Sequence, residues 1–175
     1  LAYATTLVLT IPSVIGVYDY FLSLYSAKTN IVIKTKKIND MISFIILLGI
    51  PATFLLSLKG DLIVTILFER GAFSLNNTKL VYSALMPLSL MIIPLLLQRA
   101  IDQIYQVENK ISLVVIRTII GLFLNIILNF IFIFYFKWGL FGVAFATSIS
   151  NWLVLVLSII TLKKLSIEFF WFRHF

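Results

Sequence analysis

The chain has 175 residues, 61% hydrophobic and 12% charged, against roughly 45–50% and about 25% in a soluble globular domain. Seven acids and fourteen bases are too few to clothe a soluble core, which excludes a soluble domain and points to an integral membrane protein, while spans of about 20 residues exclude a transporter of a dozen or more helices within this length alone. The net charge of +7 reads as lysine and arginine gathered on the cytoplasmic face of a membrane, not as a nucleic-acid signal.

The fold class expected is all-α: a polytopic transmembrane bundle of about five spans at residues 2–24, 41–58, 80–98, 112–136 and 141–162, followed by a basic, aromatic cytoplasmic tail at 163–175. Strands are disfavoured because runs such as FIILLGI and LFLNIILNFIFIFYF do not alternate apolar with polar residues, as a membrane barrel must. The first stretch is interrupted by Pro12 and Asp19 and has no basic flank before its apolar run, so it reads as a span and not as a cleaved signal peptide. The chain begins with Leu1 and not with Met, and is expected to be incomplete. Asp19 is either a proton or cation site or a residue at the membrane edge.

Before the second span stand Lys28, Lys34, Lys36 and Lys37 against Asp40 alone, which places that connection in the cytoplasm. Alternating the spans puts the segment with Arg99 and Lys110, and the tail with Lys163, Lys164 and Arg173, on the same side. Lys59, Arg70, Lys79 and Lys137 then fall on the other, nine bases against four. In the third span Pro87 and Pro94 each remove a backbone donor, so two kinks are predicted. In the fifth, Gly142, Ala146 and Ser150 recur every four residues and leave a groove for a neighbouring helix, suited either to ordinary packing or to rocking during transport.

Three polar groupings stand out. Asn125 and Asn129, four apart in the fourth span, place two amides on one helix face near the middle of the membrane, where they either glue helices together or line a cavity and offer oxygens to a hard cation. Gln98, Asp102 and Gln106 share a face at the end of the third span, bordered by Tyr105. Arg99 is able to reach Asp102 one turn away and snorkel with it, or to face a cavity and hold a phosphate by two parallel hydrogen bonds. Arg117, near the start of the fourth span, is expected to snorkel to the interface. The absence of cysteine and the single His174 exclude a disulfide framework and thiolate or multi-histidine metal sites. No nucleophile–base grouping, carboxylate pair or glycine-rich phosphate loop is present, so an enzyme is disfavoured and no cofactor is expected.

The stretch LKGDLIVTILFERGAFSLNNTKLVYSAL reads as a short amphipathic helix, a turn at Glu69, Arg70 and Gly71, and a helix restarting near Asn76 or Asn77. Its LFERGAF loop resembles the hallmark of the MurJ/MviN family, lipid II flippases of the multidrug, oligosaccharidyl-lipid and polysaccharide exporter superfamily. QRAIDQIYQVENK resembles that family's next helix end, and LNIILNF followed by WGLFGVAFATSIS resembles its next hairpin. The similarity runs from about Met41 to Leu162; before it, ATTLVLTIPS resembles the end of the preceding family helix.

This resemblance implies the eighth to twelfth of fourteen helices, hence most of the second lobe of a bacterial inner-membrane flippase. Such a protein moves lipid-linked peptidoglycan precursor across the cytoplasmic membrane by alternating access, with sodium or proton coupling, its partners being that precursor and membrane lipids and not nucleic acid. The family's substrate-gripping arginines lie mostly on segments preceding Leu1, which leaves Arg99, beside Asp102, as the substrate-contacting candidate in this chain. A sodium site proposed for some members maps by similarity onto Asn125, Asn129, Val143 and Thr147, with Asn129 standing where those members carry a carboxylate. The rival readings are a polysaccharide or drug exporter of the same superfamily, which LFERGAF argues against, and a non-transporting structural subunit or inactive remnant.

Overall fold

A computed structural model describes residues 1–14, 31–69 and 74–164. Every regular element among them is helical: α1 (Ala2–Val14), α2 (Ile31–Phe68), α3 (Leu75–Ser89), α4 (Ile92–Val107), α5 (Ile111–Phe130) with a π-helical turn (Ile131–Tyr135), and α6 (Gly139–Lys164). Three stretches are long and apolar enough to cross a membrane, Ile38–Phe68, Ile111–Tyr135 and Gly139–Leu162. A fourth arises if α3 and α4, bent by 49° to one another, form one broken span. Of the first expected span, the described part is the 13-residue α1; residues 15–24, with Asp19, lie outside the described residues, as do 165–175 of the tail.

The second helix continues well beyond residue 58. It runs to Phe68, with a departure from helical geometry at Lys59 (φ −129°, ψ 17°), where an apolar span gives way to a segment carrying Lys59 and Asp61. Beside this point the Tyr82 hydroxyl of α3 donates to the Ser57 carbonyl at 2.6 Å. Gly60 allows the close approach: a Cβ there would lie 2.9 Å from Leu85 Cδ2.

The two kinks expected in the third span are replaced by one break between Ser89 and Ile92. The physical reason is the position of Pro94. With Met91 as N-cap, Pro94 falls in the first turn of α4, where a backbone N–H has no intrahelical acceptor in any case. The carbonyl that Pro94 leaves without its usual partner is that of Leu90, and the Trp152 indole N–H of α6 donates to it at 3.0 Å. Around the same break the Ser148 hydroxyl donates to the Pro87 carbonyl at 2.5 Å, and Thr53 of α2 donates to the Ser89 carbonyl at 3.4 Å. Ser57 and Ser89 share a hydrogen bond of 2.7 Å. The bend is thus tied to helices on two sides.

The core lies where α1, α2, α3, α4 and α6 meet, with Ala4, Val8, Val64, Leu85, Ile92 and Leu96 among its fully enclosed side chains. A second apolar cluster, including Ile42, Ile101, Ile104 and Leu155, joins α2, α4 and the end of α6. Helix α5 is different: none of its residues is buried. It packs against α4 and α6 and presents Ile116, Ile119, Phe123, Ile127 and Phe130 outward, a face that suits lipid and would be a liability in water. The groove of small residues on α6 receives this helix. Gly142, Ala146 and Ser150 are all buried, Phe132 sits where a Gly142 side chain would be, 3.1 Å from the Cβ position, and Ser150 meets Asn125.

Candidate functional site

Two tight connections place the polar residues. Helix α4 ends at Val107 and α5 starts at Ile111 after a turn in which Asn109 takes a left-handed conformation (φ 55°), so α5 doubles back along α4. A second reversal at Phe136–Trp138, with Lys137 also left-handed (φ 55°), brings α6 back along α5. Side chains equally distant from either turn therefore face one another, and a seam of polar groups runs along α5 between its two neighbours.

Nearest the first turn, Arg117 of α5 pairs with Asp102 of α4, Nη2 to Oδ2, at 2.5 Å, their side chains only 11% and 21% exposed. Arg117 Nη1 also donates to the Gln98 carbonyl at 3.4 Å. This corrects two expectations from the sequence. Arg117 does not snorkel to the interface, because a carboxylate lies directly across the hairpin, and Arg99 does not pair with Asp102. Arg99 is exposed and, among the described residues, makes no hydrogen bond or ion pair, although it stands one turn from Asp102 on the same helix. The rest of the expected polar face divides: Gln98 is buried and its amide donates to the Asn151 carbonyl of α6 at 2.7 Å, Tyr105 is buried with its hydroxyl donating to the Ser158 carbonyl at 3.2 Å, and Gln106 is exposed.

Farther along α5 the two asparagines come together with α6. Asn125 Nδ2 lies 3.2 Å from Thr147 Oγ1 and 3.3 Å from Ser150 Oγ, and Asn129 donates to Asn125 Oδ1 at 2.9 Å. The Thr147 hydroxyl donates to the Val143 carbonyl at 2.9 Å. All four residues implied by the family resemblance, Asn125, Asn129, Val143 and Thr147, therefore belong to one hydrogen-bonded cluster. Its oxygens are neutral, and Asn129 Oδ1 has no partner. Three of the four buried side-chain atoms without a hydrogen bond among the described residues lie in this seam: Asp102 Oδ1, Arg117 Nε and Asn129 Oδ1.

On the other flank of α4, an apolar cavity of about 180 Å³ lined by Met41, Ile42, Ile101, Ile104, Leu155 and Leu162, among others, offers no group to hold a charged ligand. Of the loop motif, Glu69 is half-buried and its Oε2 accepts a 3.4 Å hydrogen bond from the Thr78 hydroxyl; Arg70 and Gly71 lie outside the described residues. The helix ends at Phe68 and the next begins at Leu75, and the two pack against one another.

The comparisons with known proteins place the chain in a family. The family model described as lipid II flippase MurJ matches residues 2–172. The chain belongs to the MurJ family. A probable lipid II flippase MurJ from Rhizobium tropici is 31% identical over 126 residues, which is 72% of this chain and 23% of that protein. The chain thus spans about a quarter of the length of the curated relative it matches. No solved structure matches it. With its apolar, membrane-length helices and its membership in this family, the chain is a multi-pass protein of the bacterial cytoplasmic membrane.

The sequence pointed to Arg99, Asp102 and the asparagine cluster but not to Arg117 as the partner of Asp102, nor to Asn151 as the acceptor for Gln98, nor to Ser148 and Trp152 as donors at the break. The first had an available signal: Asp102 and Arg117 each stand about two helical turns from the Asn109 connection.

Proposed function

We propose that this chain is most of the second lobe of a flippase that carries a lipid-linked peptidoglycan precursor from the inner to the outer leaflet of the cytoplasmic membrane. The observation that carries this reading is the family match over residues 2–172, and one feature of the site supports it at residue level. Arg99 is exposed and, among the described residues, has no ion-pair or hydrogen-bond partner, on the end of the bundle that the lysine distribution assigns to the cytoplasm. A guanidinium there is suited to the diphosphate of an isoprenoid-linked sugar arriving from the inner leaflet, through two parallel charge-assisted hydrogen bonds. Transport then follows from alternating access: the lobes rock, and the site is exposed to one leaflet at a time.

For energy coupling, the cluster of Asn125, Asn129, Val143 and Thr147 is the place where a cation would be held. Its donor set is oxygen-rich but carries no charge, which suits a weakly bound monovalent ion such as sodium and not a divalent one. None of its side chains titrates near neutral pH, so coupling through this cluster would use sodium and not protons.

The test uses the full-length protein in cells depleted of their own flippase. The leaflet distribution of the precursor is read with a membrane-impermeant probe. The intact protein is expected to restore outward movement, and Arg99→Ala to reduce it. Precursor that stays on the inner leaflet with the intact protein present would overturn the flippase reading, and full activity of Arg99→Ala would remove the diphosphate contact. Transport that does not change when sodium is replaced by potassium would remove the sodium site.

A further inference from the structure

Asp102 stands between two arginines. Arg99 is one turn away on the same helix, the spacing at which oppositely charged side chains meet, and Arg117 reaches across from α5. Only Arg117 engages it. The choice is not forced by a shortage of acceptors, since among the described residues Asp102 Oδ1 remains without a hydrogen bond and Arg99 makes none. Two cations and one anion thus resolve into a neutral, enclosed pair and a single uncompensated positive charge at the surface.

We propose that Arg117 is a positioning residue for substrate binding: by holding Asp102 in the α4–α5 seam it keeps that carboxylate off Arg99, leaving the Arg99 guanidinium free for the diphosphate. The inference rests on the reading of Arg99 given above. A carboxylate beside an arginine competes with phosphate for the same donors, and a half-buried Asp102 without Arg117 would find its nearest compensating charge in Arg99. Arg117 itself is too enclosed, with its side chain 11% exposed, to serve as the phosphate ligand in this arrangement.

The experiment uses the full-length protein in detergent, with two readouts. The first is modification of Arg99 by phenylglyoxal, quantified by mass spectrometry of the peptide that contains it. The second is binding of farnesyl diphosphate, a water-soluble isoprenyl diphosphate. Arg99 is expected to react readily in the parent protein, to be protected in Arg117→Gln, and to react again when Asp102→Asn is added. Farnesyl diphosphate binding should weaken by about tenfold in Arg117→Gln, the loss of about one charge-assisted contact, and return to within about threefold in the double variant. Arg117→Lys, which keeps the charge, should stay close to the parent.

Gln103→Glu probes the same idea without disturbing the buried pair. It gives Arg99 a carboxylate partner four residues along α4 and should mimic Arg117→Gln in both readouts. This variant decides the matter if Arg117→Gln does not fold. Unchanged Arg99 reactivity in Arg117→Gln, or a double variant that binds as poorly as the single one, would overturn the proposal and leave Arg117 a purely structural role. If instead the reactivity pattern holds while Arg99→Gln leaves farnesyl diphosphate binding untouched, the positioning of Asp102 stands and the diphosphate reading of Arg99 fails.

Discussion

The two halves of α5 are held by different chemistry. Near its connection with α4, α5 is fastened by a charged pair, Arg117 to Asp102; farther along it is fastened to α6 by neutral groups, Asn125 to Thr147 and Ser150. Charge is placed about two turns from the chain reversal, where long side chains are still close to the interface, and amides are placed near the middle of the span, where a full charge is most expensive. Each half therefore uses the strongest polar contact its depth tolerates. No residue of α5 is fully buried, so these contacts and the small-residue groove of α6 add to the packing of Leu113 and Val114 against the second apolar cluster in fixing its position.

Breaking the charged half should have the larger effect. Asp102→Leu strands Arg117 in the seam, and the loss of one partner of an enclosed pair costs about 3 kcal/mol, at the low end of the usual range because the pair is partly exposed. Thermal unfolding of the full-length protein in detergent would show it. Arg117→Gln should cost less, because Arg99 remains one turn from Asp102 as an alternative partner, and this inequality sharpens the contrast between a pair with a substitute and one without.

At the other half, Gly142→Ala should come next, with a loss of about 1–3 kcal/mol. The added Cβ would stand 2.9 Å from Trp138 Cβ and 3.1 Å from Phe132 Cβ, so the chain reversal between α5 and α6 must shift. Asn125→Ala removes both bonds across the helix interface and should cost about 1 kcal/mol, in line with polar contacts between membrane helices. Asn129→Ala should have the smallest effect, below about 0.6 kcal/mol, because its one bond runs to Asn125 on the same helix. If Asn129→Ala proved more damaging than Asn125→Ala, the amide half would not be a helix-to-helix fastening.

Much of this was legible in the sequence. Composition identified membrane helices, and their apolar runs located α5 and α6 closely, since long unbroken hydrophobicity has few other solutions in a bilayer. The four-residue spacing of Asn125 with Asn129, and of Gly142 with Ala146 and Ser150, correctly placed each set on one helix face. The break in the third span was less readable. Pro87 and Pro94 announce two lost donors, but whether each bends the helix depends on where the first turn of α4 begins and on donors such as Trp152 and Ser148, which lie far away in the chain. Partner choice at Asp102 was misread for a related reason. Local spacing favours Arg99, whereas the hairpin brings Arg117 to the opposite face, and only the antiparallel register reveals it.

The bend between α3 and α4 also sets a length. Straightened, the stretch from Leu75 to Val107 would measure about 50 Å at about 1.5 Å per residue, more than the roughly 40–45 Å of a bilayer with its headgroups. Turned by 49°, the same stretch covers less height. The break thereby lets a helix pair too long for the membrane fit its thickness. Variants that remove the Trp152 or Ser148 donors would then change the bilayer thickness in which the protein is most stable, a property that vesicles of graded acyl-chain length can measure.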